Sequence, residues 1–218
     1  MIIRKDGHHP IILMQCGPIR FKMSAKKAVI DQPFEHTVIP RETSFRVSTI
    51  SDQLKIQEVY QEMVQDQVRN DLIFDDLLSA LEKGRSPLLL TERTEHLLYF
   101  ASRLERFARN IIVFKGGLGK NQRRQIEERM KSIPDGEERV ILATGRYIGE
   151  GFDDSRLDTL FLVMPISWRG TLQQYVGRLH RLHENKRVVQ VYDYVDTKVP
   201  MLKRMYQKRI KGYTALVT

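Results

Sequence analysis

Cysteine is nearly missing from this sequence: Cys16 is the only one among 218 residues. A single cysteine cannot close a disulfide within the chain, and such sparing use is typical of proteins in a reducing compartment. Long apolar runs are missing too, since none approaches the ~20 residues of a membrane helix, and the N-terminal MIIRKDGHHP has no stretch of signal-peptide length. We therefore expect an intracellular, cytoplasmic protein that makes no membrane contact.

Two phosphate-binding fingerprints are also absent. A P-loop needs the pattern G-x-x-x-x-G-K-[ST], but in the segment GGLGKN the residue after Lys120 is Asn121, and no glycine stands at the required earlier position. The same segment is not G-x-G-x-x-G, so neither a dinucleotide site nor an ordinary doubly wound metabolic enzyme is supported. No acidic pair ends a strand in the way that a magnesium-binding box requires, and His180 and His183 share a helix face without further ligands, so no metal site is predicted.

Positive charge is in excess. Lysine and arginine number 36 against 27 for aspartate and glutamate, which gives a formal net charge of +9 and a pI near 9.7. This balance favours polyanionic partners, with nucleic acid first among them, although a protein can be basic without binding any. The composition, 41% hydrophobic and 29% charged, is that of a globular chain with a core of its own.

From Ser86 onward, short apolar runs alternate with amphipathic helical stretches. The runs are PLLLT (87–91), NIIVF (110–114), ERVILAT (138–144), LDTLFLVM (157–164) and RVVQVYDYV (187–195). Continuous apolar strands that alternate with helices predict an α/β fold, in which a parallel sheet is covered by helices on both faces. In such folds we expect ligands beyond the carboxyl ends of the strands.

The first 85 residues are predicted to form an N-terminal extension or linker, and residues 86–218 the main domain. The segments PIILMQCGPIRF, FEHTVIP and TSFRVST are predicted to be short strands interrupted by glycine and proline. Two helices follow, one over about Asp52–Val68 and one over about Asn70–Lys83, and the second ends at Gly84.

The segment KVPMLKRMYQKRIKGY (198–213) predicts a final helix. Five apolar residues repeat at helical spacing and can form one stripe: Val199, Leu202, Met205, Tyr206 and Ile210. Five cations occupy the remaining faces: Lys203, Arg204, Lys208, Arg209 and Lys211. Two interpretations stay open, namely a docked helix with a solvated basic face and a face that contacts phosphates.

Two further patterns carry chemistry. The strand ERVILAT runs into a glycine-broken turn, in which Gly151 lets the backbone approach a ligand closely and Asp153 can accept a hydrogen bond from a ribose hydroxyl. Beyond the next strand, QQYVGRLHR contains the form Q-x-x-G-R-x-x-R, which begins at Gln174 and ends with Arg178 and Arg181. Arginines three apart lie on one helix face, and their guanidinium groups suit phosphate oxygens.

Together these patterns resemble the second RecA-like lobe of superfamily 2 helicases. LLLTERTEHLLYF resembles motif IV of that family, LATGRYIGEGFD its motif V and QYVGRLHR its motif VI, and the three occur in the family's order. The phrasing is closest to the restriction- and repair-type branch of the DEAD- and DEAH-related helicases, and the resemblance covers residues 86–195. RKDGHHPIILMQCGPIRF resembles the stretch that follows a first helicase lobe, so we expect the P-loop and the acidic box in sequence that precedes Met1.

The resemblance implies roles for the motif residues. Arg178 and Arg181 would line the cleft that faces the first lobe, with Arg181 as the arginine finger of ATP hydrolysis. Gly151, Asp153 and Gln174 would contact the nucleotide, although the turn before Asp153 is one residue longer than in the commonest DEAD-box form. The implied cofactor is ATP with Mg²⁺, held mainly by the first lobe, which is thereby the implied protein partner.

Nucleic acid would cross the ends of the first three strands. By the same resemblance Thr91, Arg93, Gly117 and Thr144 would contact its backbone phosphates without reading bases. We therefore predict the second motor lobe of an ATP-dependent DNA helicase or translocase, in the cytoplasm or beside the nucleoid, with RNA as the alternative polymer. The lobe should lack ATPase activity by itself, and the alternative function is a non-enzymatic nucleic-acid-binding adaptor with the same fold.

Overall fold

Six parallel strands form the sheet at the centre of the computed structural model of this chain. The structure describes residues 35–48, 54–145, 154–166, 179, 181, 183, 184 and 186–217, and residues 214–217 by their backbone alone. The predicted strand PIILMQCGPIRF and four predicted site residues, Gly151, Asp153, Gln174 and Arg178, lie outside the described residues. None of the helices in the described part is long and apolar enough to span a membrane.

The strand order in the sheet is β1-β6-β5-β2-β4-β3. The strands are β1 (Glu35–Glu42), β2 (Pro87–Thr91), β3 (Ile111–Phe114), β4 (Val140–Thr144), β5 (Thr159–Leu162) and β6 (Val188–Val195). Every residue of β2, β4 and β5 is buried, which is why these strands read as continuous apolar runs. The predicted α/β class and all five strands predicted after Ser86 are confirmed.

The described residues contain five helices. They are α1 (Ile56–Gln65), α2 (Gln67–Glu82), α3 (Thr94–Leu104), α4 (Lys120–Ser132) and α5 (Pro200–Val217). The chain breaks between α1 and α2 at Asp66, whose carboxylate caps α2 by accepting from the backbone N–H of Arg69 at 2.7 Å. The second helix ends as predicted, because Gly84 adopts a φ of +67° that stops the helical path.

Helices cover both faces of the sheet. Alternate strand residues point to opposite sides, so strands that are apolar throughout present an apolar surface on each face. On one face, Leu77 of α2 and Phe100 of α3 pack in a cluster with Leu89. On the other face, Met130 of α4 and Tyr213 of α5 belong to a cluster with Leu88. Each fully buried leucine contributes roughly 1.5–3 kcal/mol, so the two clusters fix both helical layers. The loops at the two ends of the strands are thereby left as places for ligands.

Strand β1 extends the sheet at one edge, where it pairs in parallel with β6 from Glu35 opposite Val188 to Glu42 opposite Val195. The strand continues through Pro40, since an edge strand has an unpaired side on which a missing N–H is harmless. The division predicted near residue 85 stays a prediction, although β1 pairs within this sheet.

Residues 43–48 do not form the strand predicted for TSFRVST, and that prediction was wrong over these residues. The hydroxyl of Thr43 instead donates to the buried carboxylate of Asp196 at 2.5 Å, so the chain turns away from the sheet. Phe45 then packs in a third cluster with Met63 of α1 and Leu202 of α5. This short segment therefore ties α1 to the carboxyl end of the sheet.

Helix α5 confirms the predicted final helix, but two of its side chains lie on the side opposite to the one predicted. Ile210 is 42% exposed, whereas Arg209 is 4% exposed. Arg209 follows Leu202 by seven residues and precedes Tyr213 by four, so helical spacing places it with the buried side. The prediction failed because it assigned Arg209 by residue type, although a buried carboxylate partner was available.

That partner is Asp193 in β6. Arg209 donates to the two oxygens of Asp193 at 2.8 Å each and to the carbonyl of Ile166 at 3.0 Å. The hydroxyl of Tyr213 donates to the same carboxylate at 2.8 Å. Burial lowers the pKa of Arg209, but the charge and hydrogen bonds of Asp193 outweigh burial and raise it. Arg209 is therefore charged, and its hydrogen bonds to Asp193 hold α5 against the sheet.

Candidate functional site

The carboxyl ends of neighbouring strands bring the predicted phosphate-contacting residues to one edge of the sheet. Thr91 pairs in register with Thr144 across the ladder of β2 and β4. Arg93 follows two residues after Thr91, and the loop with Gly117 begins after Phe114, the last residue of the neighbouring β3. Because all these strands are parallel, the four predicted residues share the edge that sequence order assigned to them.

The hydroxyl of Thr91 is engaged inside the protein, and its residue is 1% exposed. It accepts from the backbone N–H of Arg93 at 3.3 Å and lies 3.4 Å from Nδ1 of His96. Nε2 of His96 lies 2.9 Å from Oδ1 of Asn70, whose amide nitrogen donates to the carbonyl of Val64. An amide oxygen only accepts, so Nε2 carries the ring proton and the hydroxyl of Thr91 donates to Nδ1. Thr91 therefore holds the turn after β2 in place.

His96 should make the stability of the fold depend on pH. Burial lowers the pKa of His96 from 6.5 to about 3, and the charge of Arg69 acts in the same direction. The unfolded chain therefore binds a proton at this ring that the folded protein does not, and this difference lowers the free energy of unfolding by about 1.4 kcal/mol between roughly pH 7.5 and pH 5.5. Urea unfolding at both pH values measures the loss, and the variant His96→Gln should lack this component. Parallel losses in the two proteins would contradict the assignment.

Arg93 is positioned at this edge by α1. Its terminal nitrogen donates to the carbonyl of Gln57 at 3.0 Å, and its guanidinium carbon lies 5.9 Å from the centroid of the Tyr60 ring. Both partners belong to α1, and the ring lies at a distance that favours a cation. A guanidinium has five N–H donors, so Arg93 can donate to a further acceptor while α1 holds it.

Gly117 shapes the loop between β3 and α4. Its φ is +84°, and a Cβ added there would meet nothing within 4 Å. The left-handed conformation alone requires glycine, since a Cβ costs about 1–2 kcal/mol in this region. The exposed backbone after β3 is therefore open to an approaching ligand, with no side chain in its way.

Gly117→Ala should lower the free energy of unfolding by about 1 kcal/mol, because alanine strains the backbone without creating a clash. Gly116→Ala is the matched control, since Gly116 has the same open surroundings but not the positive φ. Thermal and urea denaturation of the two variants provide the comparison. Equal stabilities would show that the loop relaxes freely and that its conformation is not fixed by Gly117.

Arg181 lies at the opposite end of the strands from these residues. Its side chain is exposed, and its carbonyl accepts from Nζ of Lys186 at 2.8 Å. Lys186 stands two residues before β6, so Arg181 lies beside the amino end of that strand. This differs from the expectation that all ligand residues lie beyond the carboxyl ends. The reason is topological: a segment that joins parallel strands must return to the starting edge, and Arg181 stands late in it.

Lys186 holds the backbone around Arg181. Its ammonium is in a residue only 6% exposed, and it also donates to the carbonyl of Leu179 at 2.9 Å. Burial lowers the pKa of Lys186 to about 8, against the opposing charges of Asp158 and Asp154. Leu179 is itself buried in the core, so the two bonds connect Arg181 to a fixed point. Sequence reasoning missed Lys186, whose only signal was a lysine shortly after the arginines.

The same amino-end region contains a second group of charges. Asp154 follows the predicted nucleotide-binding turn, and it lies 2.6 Å from a terminal nitrogen of Arg139. Arg156 also reaches Asp154 and donates to the carbonyls of Ile133 and Met130 at 2.7 and 2.9 Å. Burial alone would raise the pKa of Asp154, but the arginines outweigh it and lower that pKa. Within the described ranges, no three His, Cys, Asp or Glu side chains are arranged to hold a metal ion.

Comparison with known sequences identifies related proteins. The profile of the family described as helicase conserved C-terminal domain matches residues 69–183, more than half of the chain. Transcript termination protein A18 of vaccinia virus (strain Ankara) is 30% identical over 118 residues, and A18 of cowpox virus (strain Brighton Red) is 31% identical over 118 residues. Both alignments cover 53% of this chain and 23% of the relative. The chain thus spans about a quarter of the length of these curated relatives.

Solved structures share the fold. T4 UvsW matches with a TM-score of 0.62 at 15% identity, over 88% of this chain and 40% of that one. S. cerevisiae Dbp5 bound to RNA and ADP BeF3 matches with a TM-score of 0.61 at 10% identity, over 99% and 48%. The C-terminal part of the Fun30 ATPase domain matches with a TM-score of 0.56 at 12% identity, over 72% and 54%. At these identities the likeness shows the fold alone, and it confirms the predicted RecA-like architecture.

Proposed function

Because this chain belongs to the helicase conserved C-terminal domain family, we propose that it is the second motor lobe of an ATP-dependent DNA helicase or translocase. The observation that carries the proposal is the placement of two sets of predicted residues at opposite ends of one rigid sheet. Thr91 and Thr144 stand at the carboxyl edge, and Arg181 stands beside the amino end of β6. Such an arrangement suits a motor lobe, because ATP hydrolysis at one site must alter the contacts with nucleic acid at a separate site.

At the amino end, the lobe supplies charge to a nucleotide held by the first lobe. Mg²⁺-ATP, when bound, supplies the phosphoanhydride bond that is broken. Arg181 then donates to phosphate oxygens whose negative charge grows during transfer, and we assign the same role to Arg178, which lies outside the described residues. We assign nucleotide contacts to Gly151, Asp153 and Gln174 on the resemblance of their motifs, since these residues also lie outside the described part of the chain. Arg181 is an exposed residue on a backbone held by a buried lysine, which supports this role.

At the carboxyl edge of the sheet, the lobe binds the phosphate backbone of the nucleic acid. Backbone amides of the turn after Thr91, the guanidinium of Arg93 and the open backbone at Gly117 donate to phosphates. The buried hydroxyl of Thr91 serves by fixing its turn, and Thr144, 8% exposed, closes the neighbouring strand. Donors of this kind recognise phosphate without reading bases, as movement along any sequence requires.

The polymer is DNA in this proposal, with RNA as the alternative. The viral relatives are named transcript termination proteins, and the Dbp5 structure contains RNA, so RNA belongs in every assay. The restriction- and repair-type branch, an intracellular location and the whole protein's activity stay predictions. The rival function is an adaptor that keeps the helicase-lobe fold and binds nucleic acid without taking part in hydrolysis.

The test joins a first helicase lobe ahead of this chain in one polypeptide and measures ATP hydrolysis with and without single-stranded DNA or RNA. We expect stimulated turnover from the two-lobe protein and none from this chain alone. Measurable hydrolysis by the purified chain would overturn its role as half of an active site. Hydrolysis by the two-lobe protein that is indifferent to both polymers would favour the adaptor.

A further inference from the structure

The exposed side of α5 is more basic than its own stability explains. Four exposed residues form this basic face: Lys203, Arg204, Lys208 and Lys211. Among the described residues, the ion pair of α5 is made by Arg209 alone, which lies on the buried side. Elsewhere exposed arginines do pair with carboxylates, as Arg124 does with Glu128 along α4. Within the described part of the chain, the charges of the basic face are therefore not compensated by ion pairs.

Helix energetics oppose this arrangement. Arg204 and Lys208 are four residues apart and Lys208 and Lys211 three apart, so like charges face each other at roughly 0.2–0.5 kcal/mol per pair. The first turn of α5 has no acidic residue to favour its N-terminus, and the chain has none after Asp196. A helix that only docks on the core gains no stability from this pattern of charges. The pattern therefore indicates that the basic face binds an anionic partner.

The helix also presents these charges rigidly. Arg209 and Tyr213 bind the carboxylate of Asp193 from the buried side, and Leu202 is fully packed. The basic face lies on the side of the helix away from these anchors, because residues 203, 204, 208 and 211 are rotated from them by the helical period. A fixed platform loses less conformational entropy on binding than a flexible basic tail.

We propose that the basic face of α5 binds the phosphate backbone of nucleic acid as a second surface, distinct from the carboxyl edge. From Lys203 to Lys211 the helix rises about 12 Å, which gives one cation per roughly 4 Å. A nucleic-acid strand carries one phosphate per about 3.4 Å of its axis, so the two charge densities match. A membrane surface fits poorly, because the apolar stripe that lipid would need is buried against the core. The proposal rests on the proposed function only for the identity of the polyanion.

The test is fluorescence anisotropy of the purified full chain with labelled oligonucleotides, single-stranded and duplex, across a salt series. The variant replaces Lys203, Arg204, Lys208 and Lys211 with glutamine. A matched control makes the same charge change at four exposed residues near the amino ends of β2, β3 and β4: Lys83, Arg106, Arg109 and Lys131. Circular dichroism melts verify that both proteins fold, which is expected because every substituted side chain is exposed.

We expect the α5 variant to bind roughly 10- to 100-fold more weakly than the wild type, with a salt slope that is smaller by about 3, because each of the four lost phosphate contacts removes about 0.7–0.9 from that slope. The control should stay within about threefold of the wild type, with its slope unchanged. The combined variant Lys203→Arg, Lys208→Arg and Lys211→Arg should retain binding, because positive charge rather than lysine is required.

Equal losses in the variant and the control would overturn the proposal, since net charge alone would then explain binding. An α5 variant that binds oligonucleotides like the wild type would overturn it as well, and would point to an acidic face of the first lobe as the partner of α5. Absence of binding by the wild-type chain even at low salt would also overturn it. None of these results touches ATP hydrolysis by the two-lobe protein, so the proposed function stands or falls separately.

Discussion

Arg181→Ala in the two-lobe protein is expected to lower the rate of nucleic-acid-stimulated ATP hydrolysis by about 10³–10⁵, which is a loss of about 4–7 kcal/mol of transition-state stabilisation. An arginine finger binds charge that develops during phosphoryl transfer, so the loss should appear in kcat, with KM for ATP changed far less. Steady-state hydrolysis at saturating nucleic acid measures both constants. Binding of oligonucleotides should persist, because Arg181 lies at the opposite end of the strands from Thr91 and Thr144.

The chain offers a close control in Arg187, which is also exposed and stands one residue before β6. Arg187→Ala removes an equal charge from the same end of the sheet, and it should leave kcat within about twofold. Arg181→Lys keeps the charge but loses the planar fork, so most of the activity should still be lost. If Arg181→Ala and Arg187→Ala reduce hydrolysis equally, Arg181 acts through general electrostatics and is not the finger.

Most of the fold could be predicted from the periodicity of apolar residues in the sequence. The runs that became β2 and β4 are apolar throughout because helices bury both their faces, and such runs are recognisable without a structure. The place of strand β1 in the sheet was harder to predict, because its residues alternate between exposed and half-buried at an edge. Nothing in the sequence of Glu35–Glu42 indicates that β6 is its partner. Pairing between segments so far apart depends on which sheet edge stays open, a property of the assembled fold.

The candidate site was predictable in composition but not in arrangement. Parallel topology assembles Thr91 and Thr144 as expected, yet the same topology carries Arg181 to the other end of the sheet. The burial of Thr91 could not be foreseen, because it depends on His96, whose Nδ1 accepts a hydrogen bond from the Thr91 hydroxyl, and on Asn70 from another helix, which fixes the His96 ring. Long-range hydrogen bonds of this kind leave no periodic signal in a sequence.

The contact between Arg209 and Asp193 is expected to dominate the stability of the C-terminal helix. Asp193→Asn should lower the free energy of unfolding by about 3–5 kcal/mol, because it leaves a buried guanidinium without its counter-charge. For a chain of this length the midpoint of thermal unfolding should fall by about 6–20 °C. Both residues are almost fully buried, with side chains 3% and 1% exposed, so solvent cannot screen the loss. Urea unfolding followed by circular dichroism gives the free energy.

Two comparisons separate this contact from charge effects in general. Glu128→Gln makes the same carboxylate-to-amide change in a pair with Arg124 whose side chains are 67% and 73% exposed, and it should cost at most about 0.5 kcal/mol. Replacing the buried group as a unit, with Asp193→Leu, Arg209→Met and Tyr213→Phe, should recover much of the stability, because no charge or hydroxyl is then buried without a partner. If Asp193→Asn costs no more than Glu128→Gln, the pair does not anchor α5. The basic face would then have no fixed platform, and the weaker oligonucleotide binding expected from its four substitutions would have to come from a mobile helix.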